Sequence, residues 1–485
     1  MARAPQTILA ILGLLGLASC GLGAGDDTTK IVFIGSPSDL QANGLRLSPA
    51  GQHLRAATSA GLVSLNDEGD VVPALAERWI VTEDGLSYIF RLQNTDWPDG
   101  TAMTGESVQA ALRQNIRDLK GTSLGIDLTI IDEIRAMTGR VVEIRLKSQM
   151  PQFLQLMAQP ELGLRRGGAG AGPMVSEATD EGVRLTVMPP DLPEDTDIDE
   201  WREQFRVVDV SSMSARQATE AFEQGNADAV FNGRLASLPM ADTGPLSSGT
   251  VRLDAVFGLF GLQITNANGL LAEPSRREAI AMAIDRSALL QPFNIGGWTP
   301  STRIAPANLP GRSFEPQERW TQMSIEERRS AARARLASGD SLELTMALPE
   351  GPGSDTLFAS LAANLAEVGI TLVRVQPNQR PDLRLVDRLA RYSDDRWFLN
   401  QFNCDLKRGL CSKEADAFVG RAIAETDTAQ RAALMRSAEQ ALLDSNVYIP
   451  LGAPIRWSLI RGNVDGFSEN RWGLHPLFPM ARRPI

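Results

Sequence analysis

Between Gly61 and Val108 apolar residues come in short alternating runs separated by turn residues. Val63 and Leu65 alternate with polar neighbours ahead of Asn66-Asp67-Glu68-Gly69, which predicts a short strand closed by a turn. Ala74–Trp79 predicts a turn of helix with an apolar face. Glu83-Asp84-Gly85 then reverses the chain into the alternating strand Tyr88–Leu92. Trp97-Pro98-Asp99-Gly100 predicts a tight turn, and Thr104 an N-cap ahead of helical spacing from Val108 to Leu119.

The rest of the chain alternates strands and helices. Lys30–Gly35 predicts a first buried strand, Val141–Leu146 an alternating strand and Pro151–Met157 a helix. The glycine-rich run Arg165–Pro173 lacks both G-x-G-x-x-G and a GK[ST] ending, so it is expected to be a mobile crossover and not a phosphate loop. Acidic Pro189–Glu203 has no EF-hand spacing and predicts a solvated loop. Ala215–Phe231 reads as amphipathic helix, Gly225-Asn226 cap and strand, and Phe257–Ile264 as a strand buried on both faces. Arg277–Ile284 predicts a helix. Leu342–Leu348, Phe358–Val368 and Gly369–Val373 give strand, helix and strand, hence a parallel pair. A last helix, Arg431–Leu443, leads into the strand Val447–Leu451.

The order of residues in Gly61–Val108, with VVPALAE, the DGLSYIFRL strand and the following W-x-DGT, resembles the signature region of the family 5 extracellular solute-binding proteins, the peptide, dipeptide and nickel receptors of ABC importers. Gly172-Pro173, Gly225 with Asp228, Arg277–Arg286, Val464–Phe467 and Asn470–Gly473 extend the resemblance over about residues 30 to 475. Thr265 departs from it, standing where the family usually has Asn. The resemblance implies an α/β, periplasmic-binding-protein-like fold, two lobes around a hinge and cleft, with an extra subdomain in the first lobe. It divides the chain into lobe I (30–45), extra subdomain (46–165), lobe I again (166–255), lobe II (256–465) and a return to lobe I (466–485). It also implies a monomer that binds a small solute or peptide by hinge closure and passes it to an ABC permease.

Composition narrows the chemistry. The 485 residues are 43% hydrophobic and 22% charged, as in a globular protein with a real core. The formal charge of −11, with no basic stripe, argues against nucleic-acid binding. With His53 and His475 as the only histidines, neither a catalytic triad nor a zinc site can be assembled. Adjacent carboxylates such as Asp394-Asp395 diverge and do not make an acid–base pair. No enzyme activity, metal or cofactor is expected.

Residues 1–19 read as an export signal: Arg3, then the apolar stretch Ile8–Leu17, too short to span a bilayer. Leu17-Ala18-Ser19-Cys20 resembles the bacterial lipobox, which would make Cys20 the acylated mature N-terminus and residues 20–29 a tether. Gly21 is not the Asp that favours inner-membrane retention, so an outer-membrane anchor is open, and with it a ligand sensor or scaffold that no longer serves transport. In an exported protein the remaining pair, Cys404 and Cys411, is expected to be a disulfide.

Pro381–Asn400 lines up with the family segment that gives the ligand cavity a tryptophan and an aspartate for a peptide's α-ammonium. Here those positions are Arg388 and Arg391. Guanidinium accepts no hydrogen bond and repels ammonium. Either both arginines face the cleft and take an anionic group, or they pair with Asp382, Asp387, Asp394 or Asp395. The first alternative predicts anionic or neutral solutes. Tyr392, Trp397, Trp298 and Trp472 complete the candidate ligand contacts, since aromatic side chains orient ligands in clefts.

Overall fold

The structure, a computed structural model, describes residues 28–189, 196–241, 249–310, 317–336, 342–376 and 378–483. The export signal, Cys20 and the middle of the acidic segment, residues 190–195, lie outside the described residues.

Three sheets organise the chain. A seven-stranded sheet runs in the order Met174–Ala178, Val183–Val187, Val207–Met213, Thr28–Ile34, Ala229–Arg234, Arg456–Ile460, Val251–Asp254. Its central strand shows why: strand alternation sends Ile31 and Phe33 to one face and Val32 to the other. The first face is covered by Ala50, Leu54 and Ala57 of the helix Pro49–Thr58. The second meets Ala218 and Phe222 of the helix Ala215–Glu223, capped by Ser214. This is lobe I.

Lobe II is built on a five-stranded sheet in the order Thr371–Arg374, Glu343–Ala347, Leu383–Leu389, Gly258–Ile264, Tyr448–Gly452. All residues of Gly258–Ile264 are buried, as a continuous apolar run requires of a central strand. Glu343–Ala347 and Thr371–Arg374 pair in parallel across the helix Pro352–Ala366. The third sheet, four antiparallel strands in the order Ala76–Val81, Ser87–Leu92, Val141–Leu146, Ile131–Met137, forms the extra subdomain with the helix Gly105–Asp118. Thr104 caps that helix by accepting from Ser107 N at 3.3 Å. The largest apolar cluster continues from this subdomain (Phe90, Leu128, Phe153) into the lobe II helices (Phe398, Val419, Leu442).

Four expectations need correction. The second half of the acidic segment is not a loop: Ile198–Glu203 is a helix whose N-cap, Asp197, accepts from Asp199 N and Glu200 N. Ala74–Trp79 is not helical: Ala76–Val81 pairs antiparallel with Ser87–Leu92, Trp79 opposite Phe90, across a turn with Gly85 at φ 66°. Cross-strand contact there outweighs a short helical pattern. The run Arg165–Pro173 carries the chain over to the lobe I strand Met174–Ala178 as expected, but it is not without structure: it opens as a hairpin, Arg165 opposite Gly170, turned by Gly167 and Gly168 at φ 58° and 87°. Gly170 lies so close to Thr58 O that a Cβ there would stand 2.1 Å away. Finally, the helix Pro49–Thr58 and the strand Arg456–Ile460 both belong with the seven-stranded sheet. The extra subdomain therefore begins after residue 58, later than 46, and the return to lobe I precedes 456, earlier than 466.

Cys404 and Cys411 form a disulfide with Cα atoms 5.2 Å apart. Replacing both by serine is expected to lower stability by about 2–3 kcal/mol, the loop-closure entropy restored to the unfolded chain. Thermal unfolding with and without reductant measures it; a reductant-insensitive midpoint would refute the estimate.

Candidate functional site

A cavity of about 600 Å³ lies where the three units meet. Lobe I contributes Asn232, Arg234 and Arg456, lobe II Arg388, Trp397 and Arg408, and the extra subdomain Asp127 and Glu161. The lobe I wall depends on a bulge. Register shifts between Val230 and Gly233, Asn232 takes φ 65°, and its Nδ2 donates to Ile34 O at 2.7 Å. Gly233 has to lack a side chain, because a Cβ would stand 2.1 Å from the Trp457 ring.

Four of the six sequence-derived contacts line the cavity: Arg388, Arg391, Trp397 and Trp472. Trp397 packs edge-on against Phe398, ring centroids 4.9 Å apart. Trp472 is anchored through Nε1–H to Gly69 O at 2.9 Å. The other two do not line it. Tyr392 is fully buried beside Asp127 and Arg396. Trp298 donates to Ala453 O at 2.8 Å and covers Gly452 within lobe II.

The two arginines of the Pro381–Asn400 segment diverge in role. Arg391 pairs with Glu161 at 2.7 Å and donates to Gln159 Oε1 at 3.0 Å, while Gln159 Nε2 returns a bond to Arg391 O at 2.7 Å. Its charge is neutralised by a carboxylate of the extra subdomain, not by any of the aspartates near it in sequence. Asp387 pairs instead with Arg456 at 2.7 Å, joining the two lobes in the wall of the cavity. Among the described residues Arg388 reaches only Gln401 Oε1, at 3.3 Å, and burial lowers its pKa.

Glu161, Gln401, Arg408 and Arg46 were not singled out from the sequence. Lys407-Arg408 was visible as a basic pair inside the Cys404–Cys411 loop, but the direction of Arg408 was not. The other three carry no local pattern.

The two histidines do come together beside the cavity, in a ring cluster with Phe33, Phe231 and Phe467. Their nitrogens are already committed. His53 Nδ1–H donates to Pro49 O at 2.7 Å, and its Nε2 accepts from His475 N at 3.1 Å. His475 Nε2 bonds Asp254 at 3.2 Å. Burial, with His475 and Arg391 adding to it, holds the His53 pKa down at about 3. Burial pushes Asp127 up to about 7 although Asn400 Nδ2 donates to it at 2.7 Å.

Two α/β lobes with a solute-sized cavity between them define a binding protein of the cleft-closing class. The sequence pattern of the bacterial extracellular solute-binding proteins, family 5, matches residues 70–185 and 197–405, and the chain belongs to that family. Its members are extracytoplasmic solute-binding proteins of ABC importers, not enzymes. A probable di/tripeptide-binding protein 5 of Pseudomonas aeruginosa is 27% identical over 232 residues, covering 42% of this chain and 42% of that protein. Di/tripeptide-binding protein 4 of the same organism is 23% identical, covering 83% of this chain and 84% of its own. The structure of Haemophilus influenzae OppA complexed with RPPGFSPFR superposes with a TM-score of 0.79 at 15% identity, over 95% of this chain and 100% of that one.

Proposed function

We propose that this chain is an exported, lipid-anchored receptor that admits a small solute between its lobes, closes over it and delivers it to an ABC permease in the inner membrane. The observation that carries the reading is the cavity of about 600 Å³ walled by both lobes and the extra subdomain. Its volume is typical of small-molecule sites and too small for a folded partner. Binding is non-covalent: the solute makes contacts in the closed form that it lacks in the open one, and that difference drives closure. Mass spectrometry of natively purified protein tests the reading through a co-purified solute. Absence of any bound solute, together with no domain closure on addition of solutes of any charge, would refute it.

The anchor is proposed from Leu17–Cys20. Among the described residues no helix is long and apolar enough to cross a membrane. Cys20→Ser is expected to release the protein from membranes with its fold unchanged; retention of the variant at high salt would refute the anchor. Gly21 supports a second reading, anchorage at the outer membrane away from a permease, in which the same cleft serves a sensor. Fractionating the two membranes distinguishes the readings.

A further inference from the structure

The charges around the cavity are unevenly compensated. Six arginines line it against four carboxylates. Each carboxylate is already engaged: Asp387 by Arg456, Glu161 by Arg391, Asp254 by His475 and the Asn470 amide, and Asp127 by Asn400. Arg388 and Arg408 are left sharing one neutral acceptor, Gln401 Oε1, at 3.3 and 3.0 Å. Gln401 is buried, and its Nε2 donates to Trp397 O at 3.1 Å, which holds the carbonyl end toward the two guanidiniums.

Both flanks of this corner are built to stay in place. Arg408 sits on the loop closed by the Cys404–Cys411 disulfide. That loop is docked on lobe II through Leu410 N–H to Ile264 O at 2.8 Å. Arg46 comes from the lobe I side, on a segment braced by Arg55, whose Nε donates to Ala42 O at 2.9 Å and Nη2 to Gly44 O at 2.8 Å. The like charges interact: burial first, then Arg388 and Arg46, lower the Arg408 pKa to about 10. Bringing these side chains together from both lobes without an anion works against closure.

We infer that Arg388, Arg408 and Arg46 form an oxyanion subsite of the cleft, which takes a carboxylate or phosphate group of the solute. The inference rests on the solute-receptor reading above and names its ligand class. An oxyanion placed there accepts from guanidiniums of both lobes, so occupancy and closure favour each other. Gln401 stands behind it as a positioning residue, and the disulfide keeps Arg408 aimed into the cleft.

The test uses full-length protein and three probes: N-acetylated dipeptides, which carry a carboxylate and no ammonium; dipeptide amides, which carry the reverse; and inorganic phosphate. Thermal shift and titration calorimetry are expected to show binding of the acetylated dipeptides or of phosphate, and the responding probe identifies the oxyanion. Arg388→Gln and Arg408→Gln should each weaken that binding at least tenfold. The double variant Cys404→Ser/Cys411→Ser should weaken it less, and in a way that reductant reproduces in the native protein. Amides binding while anions do not, or anion affinity unchanged in both arginine variants, would overturn the subsite and leave the receptor reading standing. If no probe binds and no solute co-purifies, both fail.

Discussion

Asp387→Ala is expected to destabilise the protein by about 3–5 kcal/mol, because it strands a charged guanidinium in the interior. Asp387 and Arg456 are both nearly inaccessible, their side chains 9% and 6% exposed, and they meet at 2.7 Å. Asp387 belongs to the lobe II strand Leu383–Leu389 and Arg456 to the lobe I strand Arg456–Ile460. The pair therefore ties the lobes where the chain passes between them. Arg456 Nη1 also donates to Ile455 O, which cannot replace the lost countercharge. Removing both charges together, as Asp387→Leu with Arg456→Met, is expected to recover most of the loss, since two well-packed apolar residues carry no desolvation penalty. Urea unfolding of the two single variants and the double variant measures this. Strict additivity of the single losses would show that the charges act independently.

His53 should make the native state acid-sensitive. Its pKa falls from 6.5 in the unfolded chain to about 3 in the folded one, chiefly through burial. The unfolded chain thus takes up a proton that the native state refuses. Stability from this residue is complete above pH 6.5 and is lost as pH falls toward 3, by about 1.4 kcal/mol for each pH unit. At pH 5 the loss reaches roughly 2 kcal/mol. His53→Gln cannot titrate, so its stability should fall less steeply over that window, whatever its absolute value at pH 8. Asp127 acts in the opposite sense. Its raised pKa means that the folded state holds the proton more tightly, so its contribution declines as pH rises from about 4 toward 7. Denaturant titrations of wild type and His53→Gln at several pH values settle the matter; equal slopes between pH 6.5 and 4 would mean that His53 charges freely in the folded state.

Most of the secondary structure was legible because its signals are local. The run Phe257–Ile264 has no polar break except Gln263, and it forms the fully buried strand Gly258–Ile264. Thr104 announces its helix by capping chemistry that needs only the next three residues. Ala74–Trp79 was misread because its partner strand, not its own spacing, decides its conformation. The site was legible in part for the same reason. Arg388 and Arg391 stood out against a family pattern, but whether each is free depends on residues far away in sequence. Glu161 lies 230 positions from Arg391 and neutralises it. Among the described residues Arg388 meets an amide and no carboxylate, which no spacing rule foretells. Ion pairing between lobes is a property of the assembled cleft.

The seven-stranded sheet has a seam that bears on how the chain comes to be folded after export. Among the described residues Val251–Asp254 hydrogen-bonds to no strand except Arg456–Ile460, which also separates it from Ala229–Arg234. Everything needed for the lobe II sheet lies between, from Gly258 to Gly452. As the chain emerges in order, lobe II can complete its sheet while lobe I still holds two exposed, unpaired edges waiting for a strand almost at the end of the polypeptide. Closing that gap joins residues about two hundred positions apart, the kind of long-range pairing that folds slowly and leaves sticky edges open meanwhile. Acquisition of the last strand is thus expected to be the slow step in assembling this sheet. It is also the stage at which a chaperone of the envelope would have most to protect.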